Sequence, residues 1–334
     1  MSLDPSSRLV LGQWLQPMIA RLPPAVQEVV LHPLAAQVVL VLLALGLLRR
    51  TNRYLSYRAV NNGQGSARWD STRELVVLTG GCSGIGKQMV FDLAQKGVRL
   101  VILDINEPNF PLPNGVAFYQ ADITSSASIA AVAQKIRATH REPTVLINNA
   151  GVGHDGTILD EPEAKIRQTF EVNTISHFLT VREFLPSMVR QNHGHVVTIA
   201  SMASFVALGE MVDYCCTKAS ALAFHEGLRQ ELRHFYKAPK IKTTVVHPLW
   251  VRTPMIQQLT DAGSQFNQPV MTPEMVSSAV VEQIMAGKSG QIILPAHHWP
   301  LSMLRSFPTW MQEMARAAGT LSFVRLREWQ QKQT

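Results

Sequence analysis

From Glu74 onward, short β-branched runs alternate with amphipathic stretches of helical length. The candidate strands are Leu75–Leu78, Arg99–Leu103, Val116–Tyr119, Thr144–Ile147, His195–Ile199, Lys242–Val246 and Gln291–Leu294. Helical periodicity fills Ile85–Gln95, Ser125–Thr139, Glu163–Arg190, Asp213–His234 and Pro273–Met285. Parallel strands need a long crossover, and a helix supplies it. The alternation therefore predicts an α/β fold, a seven-stranded parallel sheet covered by helices on both faces. One connection differs. Asn106 to Gly115 carries Pro108, Pro111 and Pro113, which cannot continue a helix, so an open loop is expected there.

The chain has 334 residues, 46% hydrophobic and 16% charged, enough apolar material for one large domain with a full core. We read residues 1–70 as an apolar leader and linker, 71–298 as the catalytic body and 299–334 as an amphipathic extension. The net charge of +7 is unevenly placed: between Ser71 and His298, basic and acidic side chains balance at 19 each. The excess lies at the two ends. A balanced middle argues against nucleic-acid binding, which needs a basic face on the folded domain. Basic ends beside apolar segments suit an anionic membrane surface. The three cysteines, Cys82, Cys215 and Cys216, show neither a disulfide pattern nor metal-ligand spacing, so no metal site is expected.

Leu34–Leu48 is almost purely apolar and is followed by Arg49, Arg50, Arg53 and Arg58. At 15 residues the run is short for a span, which needs about 20. Extending it back through Val26, Val29, Val30 and Leu31 crosses Glu28, His32 and Pro33. A single membrane-anchor helix, a shallow in-plane segment on a membrane or lipid droplet, and a buried helix of the domain all stay open. If the run is a transmembrane helix, the arginines place the catalytic body in the cytosol, at the endoplasmic reticulum or a droplet. Tyr54–Asp70, with Asn61, Asn62, Gly63 and Gly65, reads as a linker.

Directly after the first strand stands Thr79-Gly80-Gly81-Cys82-Ser83-Gly84-Ile85-Gly86, and a helix follows. Glycines at such a turn let the backbone approach a pyrophosphate, and the helix N-terminus offers free N–H groups to it. Asp104 ends the second strand. A carboxylate there accepts hydrogen bonds from ribose hydroxyls and repels a 2′-phosphate, which favours NAD; NADP stays open. Tyr214 and Lys218 are four apart on a helix and share a face. An ammonium beside a phenol stabilises the tyrosinate, so Lys218 is expected to lower the pKa of Tyr214 and make it an acid/base. Ser201, after the fifth strand, can stabilise charge on a reacting oxygen.

Taken together, these motifs resemble the short-chain dehydrogenase/reductase superfamily over about Leu75 to Pro295. Thr79–Gly86 matches its Thr-Gly-x-x-x-Gly-x-Gly turn, Asn148-Asn149-Ala150-Gly151 its post-strand motif, and Tyr214-x-x-x-Lys218 follows Ser201 at the usual spacing. The apolar leader is similar to that of the membrane-associated hydroxysteroid and retinol dehydrogenase branch. The resemblance implies a Rossmann-type doubly wound sheet and a catalytic set of Asn173, Ser201, Tyr214 and Lys218, with Asn173 holding a water. It also implies cofactor contacts from Gly80, Ser83, Gly84, Ile85, Gly86, Asp104, Asp122, Asn149, Tyr214, Lys218, Val251 and Thr253. Where the family often has Pro-Gly after the sixth strand, this chain has Pro248-Leu249, without a residue that takes positive φ freely.

The expected activity is NAD(P)-linked interconversion of an alcohol and a carbonyl. Trp250, Met255, Ile256, Leu259, Phe266, Val270 and Met271 make the substrate segment apolar, so the substrate should be a lipophilic small molecule: a sterol, retinoid or long-chain lipid. An NADPH-dependent ketoreductase and an idle membrane or droplet scaffold are the alternatives. Adjacent His297 and His298 read as surface residues, and Cys215 and Cys216 as packing. Trp299–Trp329 mixes apolar residues with arginines and suits either an in-plane membrane segment that guides lipid substrate to the pocket or helices packed on the core or in a subunit interface. A homodimer is compatible with all of these.

Overall fold

In the computed structural model, the expected strands form at Val76–Thr79 (β1), Leu100–Asp104 (β2), Val116–Gln120 (β3), Val145–Asn148 (β4), His195–Ile199 (β5), Lys242–Pro248 (β6) and, at the far edge, Gly290–Leu294 (β9). They pair in parallel throughout, in the order β3-β2-β1-β4-β5-β6-β9. Two short strands, Trp250–Val251 (β7) and Val270–Met271 (β8), pair separately. The structure describes residues 33–331, with Ala20, Arg21, Pro23 and Pro24.

The helices are Pro33–Val60 (α1), Gly84–Gln95 (α2), Ser126–Thr139 (α3), Glu163–Phe170 (α4), Ser176–Gln191 (α5), Val212–His234 (α6), Gln257–Asp261 (α7), Pro273–Met285 (α8) and Thr309–Gln331 (α9). Because side chains alternate along a strand, β1 feeds two cores. Val77 joins Val101, Leu146, Val196 and Phe184 beneath α3, α5 and α6. Val76 and Leu78 join Ile102, Ile147, Met89 and Val280 beneath α2 and α8. Asn106–Gly115 is an open loop, as its prolines require. Strand order reverses between β1 and β4. Ligands of such sheets bind at the carboxyl ends beside that switch point.

Two local differences from the sequence reading matter. The expected single helix over Glu163–Arg190 is broken by a π-turn at Glu171–Ile175, which carries Asn173; such turns recur at functional sites. The expected linker from Tyr54 is still helical to Val60, because Tyr54, Leu55 and Arg58 sustain the helix and Arg58 donates to the Tyr54 hydroxyl one turn back (3.2 Å). The polar signal acts only from Asn61. Even there the chain is tied down: Asn61 exchanges hydrogen bonds with Ser289, and the Gly65 carbonyl accepts from the Lys242 ammonium (2.9 Å).

The chain divides into two compact units, residues 1–59 and 60–334. In the first, Val38–Leu43 are six consecutive residues each more than half exposed. At about 100° per residue they cover every side of α1. Among the described residues no helix is long and apolar enough to cross a membrane. The backward extension through Val26–Leu31 lies outside the described residues.

Candidate active site

The glycine turn is built by close approach. Gly80 (φ 68°) and Gly84 (φ 51°) take left-handed backbone, and a Cβ on Gly86 would stand 1.9 Å from the Gly80 carbonyl oxygen. No residue but glycine fits at 86. The turn is anchored from β4: the Asn149 amide donates to the carbonyls of Thr79 (3.0 Å) and Gly80 (2.9 Å). In return the Thr79 hydroxyl accepts from the N–H groups of Asn149 and Ala150. Asn149, expected against a ribose, therefore spends its side-chain donors on holding the turn. Asp104 accepts from the backbone N–H of Cys82 (2.9 Å) with one oxygen and of Asn106 (3.0 Å) with the other. Burial, then the Asp104 carboxylate, push the Cys82 thiol up to about 12, so it stays protonated.

A single cavity of about 970 Å³ runs from this turn to Tyr214. All twelve expected cofactor residues line it, from Gly80 and Asp104 to Val251 and Thr253, and so does Ser201. Asp122 lines it too, with its carboxylate accepting from the Thr124 N–H (2.9 Å) and hydroxyl (2.7 Å). Thr253 faces the turn, its methyl 3.0 Å from where a Gly84 Cβ would sit. After β6 the chain keeps negative φ through Leu249, whose N–H donates to the Leu294 carbonyl (2.9 Å). The Pro248-Leu249 pair thus leads into β7 without a positive φ and needs no glycine. The cradle, left-handed where a phosphate would approach and acidic at the β2 end, fits a dinucleotide.

Lys218 is 3% exposed, and its ammonium donates to the Ile199 carbonyl at the end of β5 (3.0 Å). It lies 5.5 Å from the centre of the Tyr214 ring. Burial lowers Lys218 to about 8. The phenol departs from expectation: burial pushes Tyr214 up to about 12, against which hydrogen bonding with Ser201 works in the other direction. Desolvation outweighs that hydrogen bond, and Tyr214 is protonated at neutral pH. Ser201 is oriented as the cap of the Met202–Ser204 turn, accepting from the Ala203 N–H (3.1 Å).

Asn173 stands behind the cavity wall rather than on it. Its carbonyl accepts from the Val152 N–H (2.9 Å), and its amide donates to the Val152 carbonyl (2.8 Å) and the Thr217 hydroxyl (3.1 Å). It pins the Gly151–Val152 segment to α6, three residues from Tyr214. One turn further, His177 is buried and driven to about 3, so it adds no second cation beside Lys218. Of the adjacent cysteines, Cys215 is buried as expected, but Cys216 is exposed. The supporting roles of Thr79, Thr217 and the Ile199 carbonyl were not foreseen. Nor was the contribution of Leu301, Ala315 and Gly319 to the cavity wall; no sequence signal links such distant residues to Tyr214.

A family profile described as short chain dehydrogenase matches residues 74–263. The chain is 44% identical over 209 residues to dehydrogenase RED2 of Cochliobolus heterostrophus, covering 62% of this chain and 78% of that one. It is 32% identical to human estradiol 17-beta-dehydrogenase 11 (67% and 76% covered) and 30% identical to human epidermal retinol dehydrogenase 2 (70% and 78%). Among solved structures, a short chain dehydrogenase/reductase from Burkholderia phymatum in complex with NAD superimposes with a TM-score of 0.63 at 22% identity, over 70% of this chain and 92% of that one, a likeness of fold. The profile match and the graded likeness to steroid and retinol dehydrogenases make the chain a member of the short-chain dehydrogenase family, an NAD(P)-dependent oxidoreductase acting on CH–OH groups.

Proposed function

We propose that the protein interconverts a lipophilic alcohol and its carbonyl with NAD, using Tyr214 as the proton donor and acceptor. The observation that carries this reading is the convergence of Tyr214, Lys218 and Ser201 on the cavity that begins at the glycine turn. A nicotinamide dinucleotide bound there supplies hydride exchange at the carbinol carbon. The residues of the chain handle the proton. In reduction, protonated Tyr214 donates to the oxygen that gains charge, and Ser201 steadies that charge by hydrogen bonding. In oxidation, Tyr214 must first be ionised, and the Lys218 ammonium stabilises it. Asn173 acts as a positioning residue through Val152 and Thr217. Asp104 supports NAD, because its charge opposes a 2′-phosphate. The apolar lining, including Met211, Trp250, Met255 and Leu259, supports a sterol, retinoid or long-chain substrate. The apolar girth of α1, exposed on every side, supports seating on a membrane or lipid-droplet surface, with the arginines that follow it near anionic headgroups.

Replacing Tyr214 by Phe should lower kcat about 100- to 10,000-fold while NAD binding is retained, checked by NADH fluorescence titration and turnover. Full turnover in that variant would remove Tyr214 from the mechanism.

The pH dependence of oxidation follows from the pair. The reactive form has ionised Tyr214 beside charged Lys218, one proton fewer than the fully protonated pair. With Lys218 near 8 and Tyr214 near 12, log kcat for oxidation should rise with unit slope to about pH 8 and level off above it. Reduction, which uses the protonated phenol, should be flat between pH 6 and 8. Initial rates in both directions read this, and an oxidation rate that falls between pH 6 and 8 contradicts the assignment.

Wild-type protein is expected to bind NADH more tightly than NADPH. Asp104→Ala should weaken NADH by about 10- to 100-fold through lost hydrogen bonds to a charged group. Calorimetric titration of both cofactors decides; tighter NADPH binding by the wild type would end the NAD preference.

Protein lacking residues 1–59 should shift from the membrane pellet to the soluble fraction on centrifugation of cell lysate. Unchanged pelleting would place the lipid contact elsewhere.

A further inference from the structure

The C-terminal helix α9 is not an appendage. It crosses three segments that lie at the carboxyl ends of the strands, and it is fastened to each. Arg327 pairs with Asp160 (2.9 Å), in the turn before α4, and with Glu210 (3.4 Å), in the loop before α6. On that same loop, the Gly209 N–H donates to the Thr320 hydroxyl (3.1 Å). On the segment between β7 and β8, Gln268 donates to the Ser322 hydroxyl (2.9 Å), and Phe323 packs with Trp250 and Phe266. Phe323 and Leu326 are nearly fully buried in a small core with Met211, Ile256 and Leu259.

Positions 315, 319, 323 and 326 recur every three or four residues and so share the inner face of α9. Its C-terminal half fills that face with Phe323 and Leu326. Its N-terminal half has Ala315 and Gly319 there, and both border the cavity that contains the Tyr214 hydroxyl, with Leu208 and Leu301 beside them. The approach is close: a Cβ on Gly319 would come within 2.6 Å of Leu208 Cδ2. The helix is therefore held rigidly in place by its ion pairs and its bulky end, while its smaller end borders open space next to the reacting group.

Building on the activity proposed above, we infer that α9 is the substrate-side wall of the cavity and that Ala315, with Gly319 and the rim residue Ala318, determines how large an apolar body the site accepts. The substrate class this describes is an alcohol or ketone with a polycyclic or long-chain body, whose bulk lies against α9 while its oxygen meets Tyr214. Residues fixed by packing on a rigid element set a size limit more sharply than a loop does.

The test uses the full chain and two readouts. The first is binding of a steroid ketone and of a long-chain ketone, followed by quenching of intrinsic tryptophan fluorescence. The second is NAD-linked oxidation of the corresponding alcohols and of cyclohexanol. Ala315→Phe should weaken binding of at least one large ketone by about 10- to 200-fold, the range that even one methylene commands in an apolar pocket. It should lower kcat/KM for the matching alcohol similarly and leave cyclohexanol within about twofold. Which large ligand is excluded tells ring system from chain. Met314→Phe, on the exposed side of the helix, should change none of these. Ala318→Leu, a smaller change at the rim, serves if Ala315→Phe does not fold, and should show the same selectivity to a lesser degree. Equal binding of the large ketones by wild type and both variants would overturn the inference, as would a parallel loss for large and small substrates. So would a wild type that binds neither ketone. Loss of ketone binding in the variant without any alcohol turnover in the wild type would refute the proposed activity and leave the wall in place.

Discussion

The site depends on a lysine ammonium held almost entirely out of water. Lys218 has the Ile199 carbonyl as its acceptor, and among the described residues no carboxylate forms an ion pair with it. Fully buried lysines can fall to about 5 or 6. At about 8, Lys218 remains largely charged at neutral pH. Tyr214 shows the same desolvation from the other side, its ionised form being penalised until the phenol reaches about 12. Neither charge is comfortable alone. Formed together, each offsets part of the other's desolvation, so the favoured route to a tyrosinate is one in which the ammonium stays in place.

Keeping the pair in register is the work of two asparagines whose side chains face inward. Asn149 ties the β4 end to the glycine turn, and Asn173 ties the Val152 backbone to Thr217 of α6. The segment 149–152 thus becomes a splint between the dinucleotide cradle and the proton-handling groups. An amide suits both places: Asn149 uses its two N–H donors on the carbonyls of the turn, and Asn173 donates and accepts at once, which an aspartate or a leucine cannot do. The π-turn follows from the same need. It widens the helix by one residue at Asn173 and lets the side chain reach the Val152 backbone in both directions.

Much of this was legible in the sequence, and the reasons differ by element. The seven strands and most helices read correctly because buried parallel strands are continuous β-branched runs and the flanking helices carry strong apolar periodicity. The glycine turn was readable because Gly86 and Gly80 have no substitute at their contact distance. What escaped detection depended on cancellation or on distance. The direction of the Tyr214 shift could not be read from an i, i+4 spacing, since that spacing shows the ammonium but not the depth of burial. The π-turn in Glu163–Gln191 left no trace in a hydrophobic pattern that is continuous across it. The helix end at Val60 was misplaced because the residues from Tyr54 are aromatic and basic, which suits an exposed helix as well as a linker. That the C-terminal stretch packs on the core was one of the readings its pattern allowed, but which of its residues border the cavity was invisible, because Ala315 and Gly319 meet the active site only through tertiary packing.

The distribution of charge and apolar exposure then makes a coherent division of labour. The body from Ser71 to His298 is electrically balanced, and its large apolar side chains are mostly buried. The terminal segments are basic, and each exposes apolar groups it cannot bury by itself: the leucines and valines of α1, and Trp310, Met314, Leu321 and Val324 on the outer side of α9. Exposed apolar area of this kind calls for a covering phase. On the reading proposed above, an anionic lipid surface would satisfy both properties at once. The inner side of α9 borders the cavity while its outer side bears tryptophan and methionine, so on the proposed reading a lipophilic substrate leaving lipid for the site would cross one helix thickness. That short path is the physical reason to place the size limit on α9 rather than on the turn of Gly263 and Ser264, whose residues face water.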